Sequence, residues 1–193
     1  MALAELIADP DAAIRDVATL LDAMDPDERW ALLSGLSRAQ QRALYRKADP
    51  AIELAHLVGH AGPRTEVIHD GLNTLPVPPP LRRFQKRFCR PADETADYLF
   101  GYNEGPTRRL LGPGYFVAEP TGEGGVVIDY FRVPDGPVAP GWPRVVPNSH
   151  GLQRFVYHRT RDLLRRVSVH VSIGTPVKRD RPLDHYFVLC RRP

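Results

Sequence analysis

Residues 167–173 read Val167-Ser168-Val169-His170-Val171-Ser172-Ile173. Apolar and polar side chains alternate with a period of two, the signature of a half-buried β-strand. Further candidate strands lie at 98–103, 114–119, 125–133, 153–158 and 185–191, taking the quoted strand as 166–174. Gly112-Pro113-Gly114, Gly122-Glu123-Gly124-Gly125 and Pro134-Asp135-Gly136-Pro137 supply the turns between them. No connection is long enough for a crossover helix, so the strands must run antiparallel, as a sheet or half-barrel. Residues 160–165 are expected to form a single helical turn.

Working back toward the start, the pattern changes. Asp-Pro occurs at Asp9-Pro10, Asp25-Pro26 and Asp49-Pro50. Aspartate suits the helix N-cap and proline the position after it. Ser37-Arg38-Ala39-Gln40 fits a capping box. Four helices are expected, near 10–24, 26–34, 38–48 and 50–58, as a compact helical array. The fold class is therefore α+β: about four short N-terminal helices, then an antiparallel β-rich domain. Between them, Gly59, Gly62, Pro63, Gly71 and Pro76-Val77-Pro78-Pro79-Pro80 interrupt every period. The division expected is a helical domain over 1–62, a Pro/Gly-rich linker over 63–80 and a β-rich domain over 81–193. The last begins with a basic segment, Leu81 to Arg90. Its Leu81, Phe84 and Phe88 recur at helical spacing, and a short helix is expected there.

Charge is uneven. Residues 1–63 hold 6 basic and 10 acidic side chains; residues 64–193 hold 20 and 13. The two parts are expected to meet different surroundings, or partly each other. The chain is Arg-rich, with lysine only at Lys47, Lys86 and Lys178, a bias that fits GC-rich, bacterial-like coding. No run approaches the ~18 apolar residues of a membrane span. Residues 1–10 carry Glu5 and Asp9 and no basic residue, which argues against a secretory signal and for a cytoplasmic location. Cys89 and Cys190 then read as reduced thiols.

Familiar catalytic signatures are missing: no Gly-x-Ser-x-Gly, no phosphate-binding Gly-x-x-x-x-Gly-Lys-Ser/Thr and no Gly-x-Gly-x-x-Gly. His56 and His60 have the i, i+4 spacing of a zinc pair. The glutamate of His-Glu-x-x-His is absent and Gly59 interrupts the helix, so neither a metal nor any other cofactor is expected. The pair Asp129 and His170 attracts more notice, since each interrupts an apolar strand. Sharing a face, they would form an acid/base pair. On the plainer reading, Ser168, His170 and Ser172 face solvent and Asp129 pairs with an arginine.

The preferred functional reading is a binding module for an apolar or aromatic small molecule in the β-rich domain. Tyr115, Tyr130, Trp142, Asn148, His158, Ser168, Ser172 and His185 are its candidate ligand-binding residues. The alternatives are an enzyme using Asp129 and His170, or an interaction protein docking through residues 1–62 and 81–90. Nucleic acid is not an expected partner, because no nucleic-acid motif surrounds the basic segment.

Overall fold

The computed structural model describes residues 2–193 apart from Glu123 and Asp180. In chain order the helices α1 (Leu3–Ala8), α2 (Ile14–Asp22), α3 (Pro26–Leu33), α4 (Arg38–Lys47) and α5 (Leu54–Val58) come first. They are followed by β1 (Val67–Asn73), β2 (Arg83–Cys89), β3 (Leu99–Glu104), α6 (Arg108–Leu111), β4 (Phe116–Pro120) and β5 (Val126–Asp129). The chain ends with α7 (Gln153–Val156), β6 (Thr160–Arg166), β7 (Val171–Lys178), β8 (Arg181–Pro182) and β9 (Phe187–Arg191). The α+β class holds, and the β part is more closed than a half-barrel. β1 to β6 form an up-and-down antiparallel meander, β7 pairs with both β6 and β9, and β9 pairs back onto β1. Eight strands therefore close into a barrel, with β8 a flap on β7. Each of the eight barrel strands is thus paired on both sides, and among the described residues only the short flap β8 keeps a free edge.

Local chemistry explains the helices that were legible. The Asp25 carboxylate accepts from the backbone N–H groups of Asp27 and Glu28, both at 2.9 Å, with Pro26 in the first turn of α3. Ser37 and Gln40 form the reciprocal capping box of α4. The other two Asp-Pro pairs behave differently. Asp9 and Asp49 bond Asp11 N–H and Ala51 N–H two residues on, making Asx turns, and the following helices start later, at Ile14 and Leu54. Arg29 is buried and donates to the carbonyls of Leu21 and Met24, a cation at the C-terminal end of α2. Replacing Asp25 by Ala is expected to lower stability by about 1 kcal/mol in chemical denaturation. An unchanged midpoint would mean that water replaces the cap without loss.

Several expected segments differ in the structure. Residues 81–90 are not a helix: a 3₁₀ turn over Pro79–Arg82 leads into β2. Phe84 and Phe88, four apart, fit either period, and here Phe84, Lys86 and Phe88 face one way. Within the expected linker 63–80, residues 67–73 are a barrel strand bonded on both sides. Residues 153–158 hold the short helix α7, whereas 160–166, expected as a helical turn, form β6. The quoted strand begins only at Val171, because the chain turns at 167–170, where Val167 and Ser168 both donate to Val171 O. Of the turn over 122–125, Glu123 lies outside the described residues.

Two faces of the barrel wall are buried for different reasons. On the outside, Leu72, Val171, Ile173, Val188 and Cys190 pack under α1 to α4 through Leu6, Val17, Leu21, Leu33 and Leu44. Also outside, Cys89, Phe100 and Val117 lie under Ala139, Val138 and Trp142. Inside, Phe88, Leu99, Ala118, Val126, Leu164 and Leu189 meet Ile52, Leu57 and Val58. The segment ending in α5 thus plugs one end of the barrel. His69, fully buried, bonds Leu57 O at 2.7 Å through Nε2 and stacks edge-on to Phe88.

Candidate functional site

Opposite the plug the barrel stays open. A cavity of about 540 Å³ descends from exposed Leu75, Leu81, Leu183 and Phe155 to buried Lys86, Asn103, Tyr130, Thr160 and Asp162. That volume lies within the ~300–1,000 Å³ of small-molecule sites. An eight-stranded barrel has an interior just wide enough for side chains or one small ligand.

Glycines make the room. Three interior aromatic rings lie across glycines of the neighbouring strand: Phe84 opposite Gly71, Phe116 opposite Gly101 and Phe187 opposite Gly174. A Cβ at these glycines would stand 2.7, 2.2 and 2.3 Å from the respective rings. Only a residue without a side chain lets the rings lie there. The rings in turn surround one cation. The Lys86 ammonium sits 4.9 Å from the Phe116 ring centre, 5.0 Å from Phe187, 5.1 Å from Tyr130 and 5.9 Å from Phe84.

Lys86 is only 2% exposed, so its charge must find partners. It donates to Asp162 Oδ2 at 3.0 Å, to Asn103 Oδ1 at 3.1 Å and to the Tyr130 hydroxyl. Tyr130 OH lies 3.2 Å from Asp162 Oδ2, and Asn103 Nδ2 donates to Tyr130 OH at 3.1 Å. The four side chains come from β2, β3, β6 and the end of β5, and Lys86 faces Asn103 directly in the β2–β3 register. Burial pulls the Lys86 ammonium below its usual pKa, while the Asp162 charge opposes that shift. Burial, then the Asp162 charge, raises the Tyr130 phenol well above its usual range. Tyr157 stacks on Tyr130 with ring centres 5.3 Å apart, and burial pushes its phenol up to about 12. At neutral pH both tyrosines are therefore neutral hydrogen-bond donors.

Of the residues anticipated from sequence, Tyr130 and His185 line the cavity. The others are not among its walls. Tyr115 packs on Tyr102 and Trp142 outside the barrel and donates to Pro143 O. Trp142 covers Tyr102 and donates to Glu66 at 2.6 Å. Asn148 is buried and ties the carbonyls of Tyr115 and Tyr130 together at 2.7 and 2.8 Å. His158 lies partly buried in the turn between α7 and β6. Ser168 and Ser172 are buried, not solvent-facing, and neither hydroxyl has a hydrogen-bond partner among the described residues. Ser172 pairs with Leu189 of the inner cluster, so the polar face of that strand is the barrel interior near the plug.

The Asp129–His170 pair does not form. Asp129 lies on the outer face of β5, bonded by Phe131 N–H and by Arg161 at 3.2 Å. Its neighbour Arg161 pairs with Val177, whereas His170 precedes Val171 at the other end of β7. The two are separated by about 20 Å of strand. His170 instead contacts Arg191 at 3.3 Å, and burial with the Arg29 and Arg191 charges lowers its pKa. His56 is pushed down to about 4, first by burial and then by Arg166 and Arg191. Among the described residues no group of three or more His, Cys, Asp or Glu converges to hold a metal ion. None of their helices is long and apolar enough to cross a membrane.

The basic segment 81–90 is part of the barrel wall, so it offers no free helix to a partner. Arg87 pairs with Glu66 at 3.1 Å, and Arg90 donates to the carbonyls of Gly59 and Ala61. Lys86, the segment's interior cation, is the centre of the site that sequence reasoning missed. Its signal was present: Phe84-x-Lys86-x-Phe88 alternates at period two. The sequence matches no protein-family model, and no curated protein is significantly similar to it.

Proposed function

We propose that the barrel binds one small, largely apolar molecule whose single polar group docks against Lys86, Tyr130 and Asn103. The carrying observation is a buried, charge-balanced polar cluster set in the wall of an otherwise mostly apolar cavity. Eight-stranded antiparallel barrels are commonly used to hold small molecules. Apolar walls supply the affinity and the few convergent polar groups fix orientation. The aromatic lining of Phe84, Tyr130, Tyr157 and Phe187 favours a flat or unsaturated ligand.

The reading is tested with 1-anilinonaphthalene-8-sulfonate, whose rings fit the apolar walls and whose sulfonate fits the cation. One molecule is expected to bind per chain with increased fluorescence. Val156→Trp, which fills the mouth without touching the polar cluster, is expected to weaken binding roughly tenfold, about 1.4 kcal/mol. Equal affinity in Val156→Trp would place the dye elsewhere and remove the reading.

A further inference from the structure

We infer that Lys86 is a covalent capture site, condensing with the carbonyl carbon of an aldehyde or ketone ligand to form a protonated imine held by Asp162. The inference rests on the binding role proposed for the cavity and gives its ligand a chemical class. Four observations support it. Lys86 is a primary amine in the wall of a cavity large enough for a ligand. A carboxylate lies 3.0 Å from its nitrogen. The Tyr130 hydroxyl bridges the nitrogen and that carboxylate. Aromatic rings stand on three further sides and the Lys86 side chain is only 3% exposed, which limits the access of water that would hydrolyse an imine.

The chemistry balances within the cluster. The ammonium first passes a proton to Asp162, leaving a neutral amine. The amine lone pair attacks the carbonyl carbon, the N–C bond forms, and the carbonyl π electrons move to oxygen. That oxygen takes the proton released by nitrogen, with Tyr130 OH in reach to relay it. The C–O bond then breaks, the nitrogen lone pair forms C=N, and the hydroxyl leaves as water with the proton from Asp162. In sum, an ammonium and a carbonyl give an iminium and one water, so no charge is created or lost. The iminium N–H keeps its bond to Asp162, while Asn103 and Tyr130 are freed for the rest of the ligand. Burial, which favours the neutral amine, makes Lys86 a better nucleophile than a solvent lysine.

The chain offers a built-in comparison, since Lys47 and Lys178 are its only other lysines. Lys47 donates to the carbonyls of Asp9 and Ala12, and Lys178 lines the cavity mouth. The wild-type protein is treated with cinnamaldehyde and sodium cyanoborohydride, and the adducts are mapped by peptide mass spectrometry. Displacement of 1-anilinonaphthalene-8-sulfonate by cinnamyl alcohol, which has no carbonyl, is measured in parallel. The expected result is one adduct per chain, on Lys86, forming about tenfold faster than on either other lysine. Excess cinnamyl alcohol is expected to suppress it. Adducts on Lys178, Lys47 or the N-terminal amine with Lys86 unmodified, while cinnamyl alcohol still displaces the dye, would overturn the imine and leave the binding role standing. If neither the alcohol nor the aldehyde displaces the dye, and the dye itself ignores Val156→Trp, the binding role and the imine fall together. Lys86→Met, if it folds, is expected to lose the adduct; an undiminished adduct in that variant would also overturn the inference.

Discussion

Asp162→Ala is expected to lower the stability of the chain by about 3–5 kcal/mol, the cost of leaving a buried charge without its partner. Lys86 and Asp162 have side chains only 3% and 6% exposed, so solvent cannot replace the lost carboxylate. Asn103 and Tyr130 would remain as neutral acceptors, and the surrounding rings supply only weak attraction to the cation. The pair as a whole adds much less than this, because both charges were desolvated to form it. The double variant Lys86→Met/Asp162→Leu, which removes both charges and keeps most of the volume, is therefore expected to lie within about 2 kcal/mol of the parent. Urea denaturation of the parent, the single and the double variants measures all three. A loss under about 1 kcal/mol for Asp162→Ala would put the pair in the class of solvated surface ion pairs. Water would then reach the site, and the dry cavity wall invoked above would not exist.

Acidification is expected to destabilise the protein between about pH 6.5 and pH 3, with His69 as the main cause. Its Nε2 bonds the Leu57 carbonyl, and its Nδ1 is buried with no partner among the described residues. A proton at Nδ1 would create an N–H cation with nothing to accept it. Burial accordingly pushes the folded-state pKa down to about 3 from 6.5, helped by the His56 and Arg191 charges and opposed by the Leu57 bond and the Asp70 charge. The sign follows from where the proton binds. Below pH 6.5 the unfolded chain takes up the proton and the folded chain does not, so acid favours unfolding; above 6.5 the group has no effect. From pH 6.5 to 4.5 the loss is about 2–3 kcal/mol from this residue. His56, at about 4, adds to it in the same direction. His69→Gln keeps an amide donor for Leu57 O and cannot titrate, so its stability is expected to fall less steeply over that range. Denaturation midpoints at pH 6.5 and 4.5 provide the comparison. Identical slopes in parent and variant would show that His69 is not the group responsible.

Both effects come from residues whose importance the sequence concealed. Lys86 was legible only as one member of a basic run, because Phe84 and Phe88 satisfy helical and strand periods equally. His69-Asp70-Gly71 read as linker, yet Gly71 is the floor on which the Phe84 ring lies. The alternation over 167–173 marked a strand correctly in kind. The direction of its polar face stayed open, toward water on the plainer reading and toward a ligand on the other. In the closed barrel the Val171 and Ile173 face is buried outside under helices, and Ser172 turns inward. Asp129 and His170 were noticed because polar residues in apolar strands are costly, and for Asp129 that cost is met by Arg161 on the outer wall.

Local chemistry along the chain was enough for the α+β class, the cap at Asp25, the capping box at Ser37 and Gln40, and the antiparallel succession of strands. These depend on groups within a few residues of one another: a side chain bonding a backbone N–H three positions on, or a connection too short for a crossover. Tertiary structure alone decided that β9 returns to β1, and with that closure which face of every strand became interior. The Lys86, Asn103, Tyr130 and Asp162 cluster exists only because four separate strands hold their registers around that ring. Register is a property of pairing, not of any one segment, and a shift of one residue would turn each of these side chains to the opposite face.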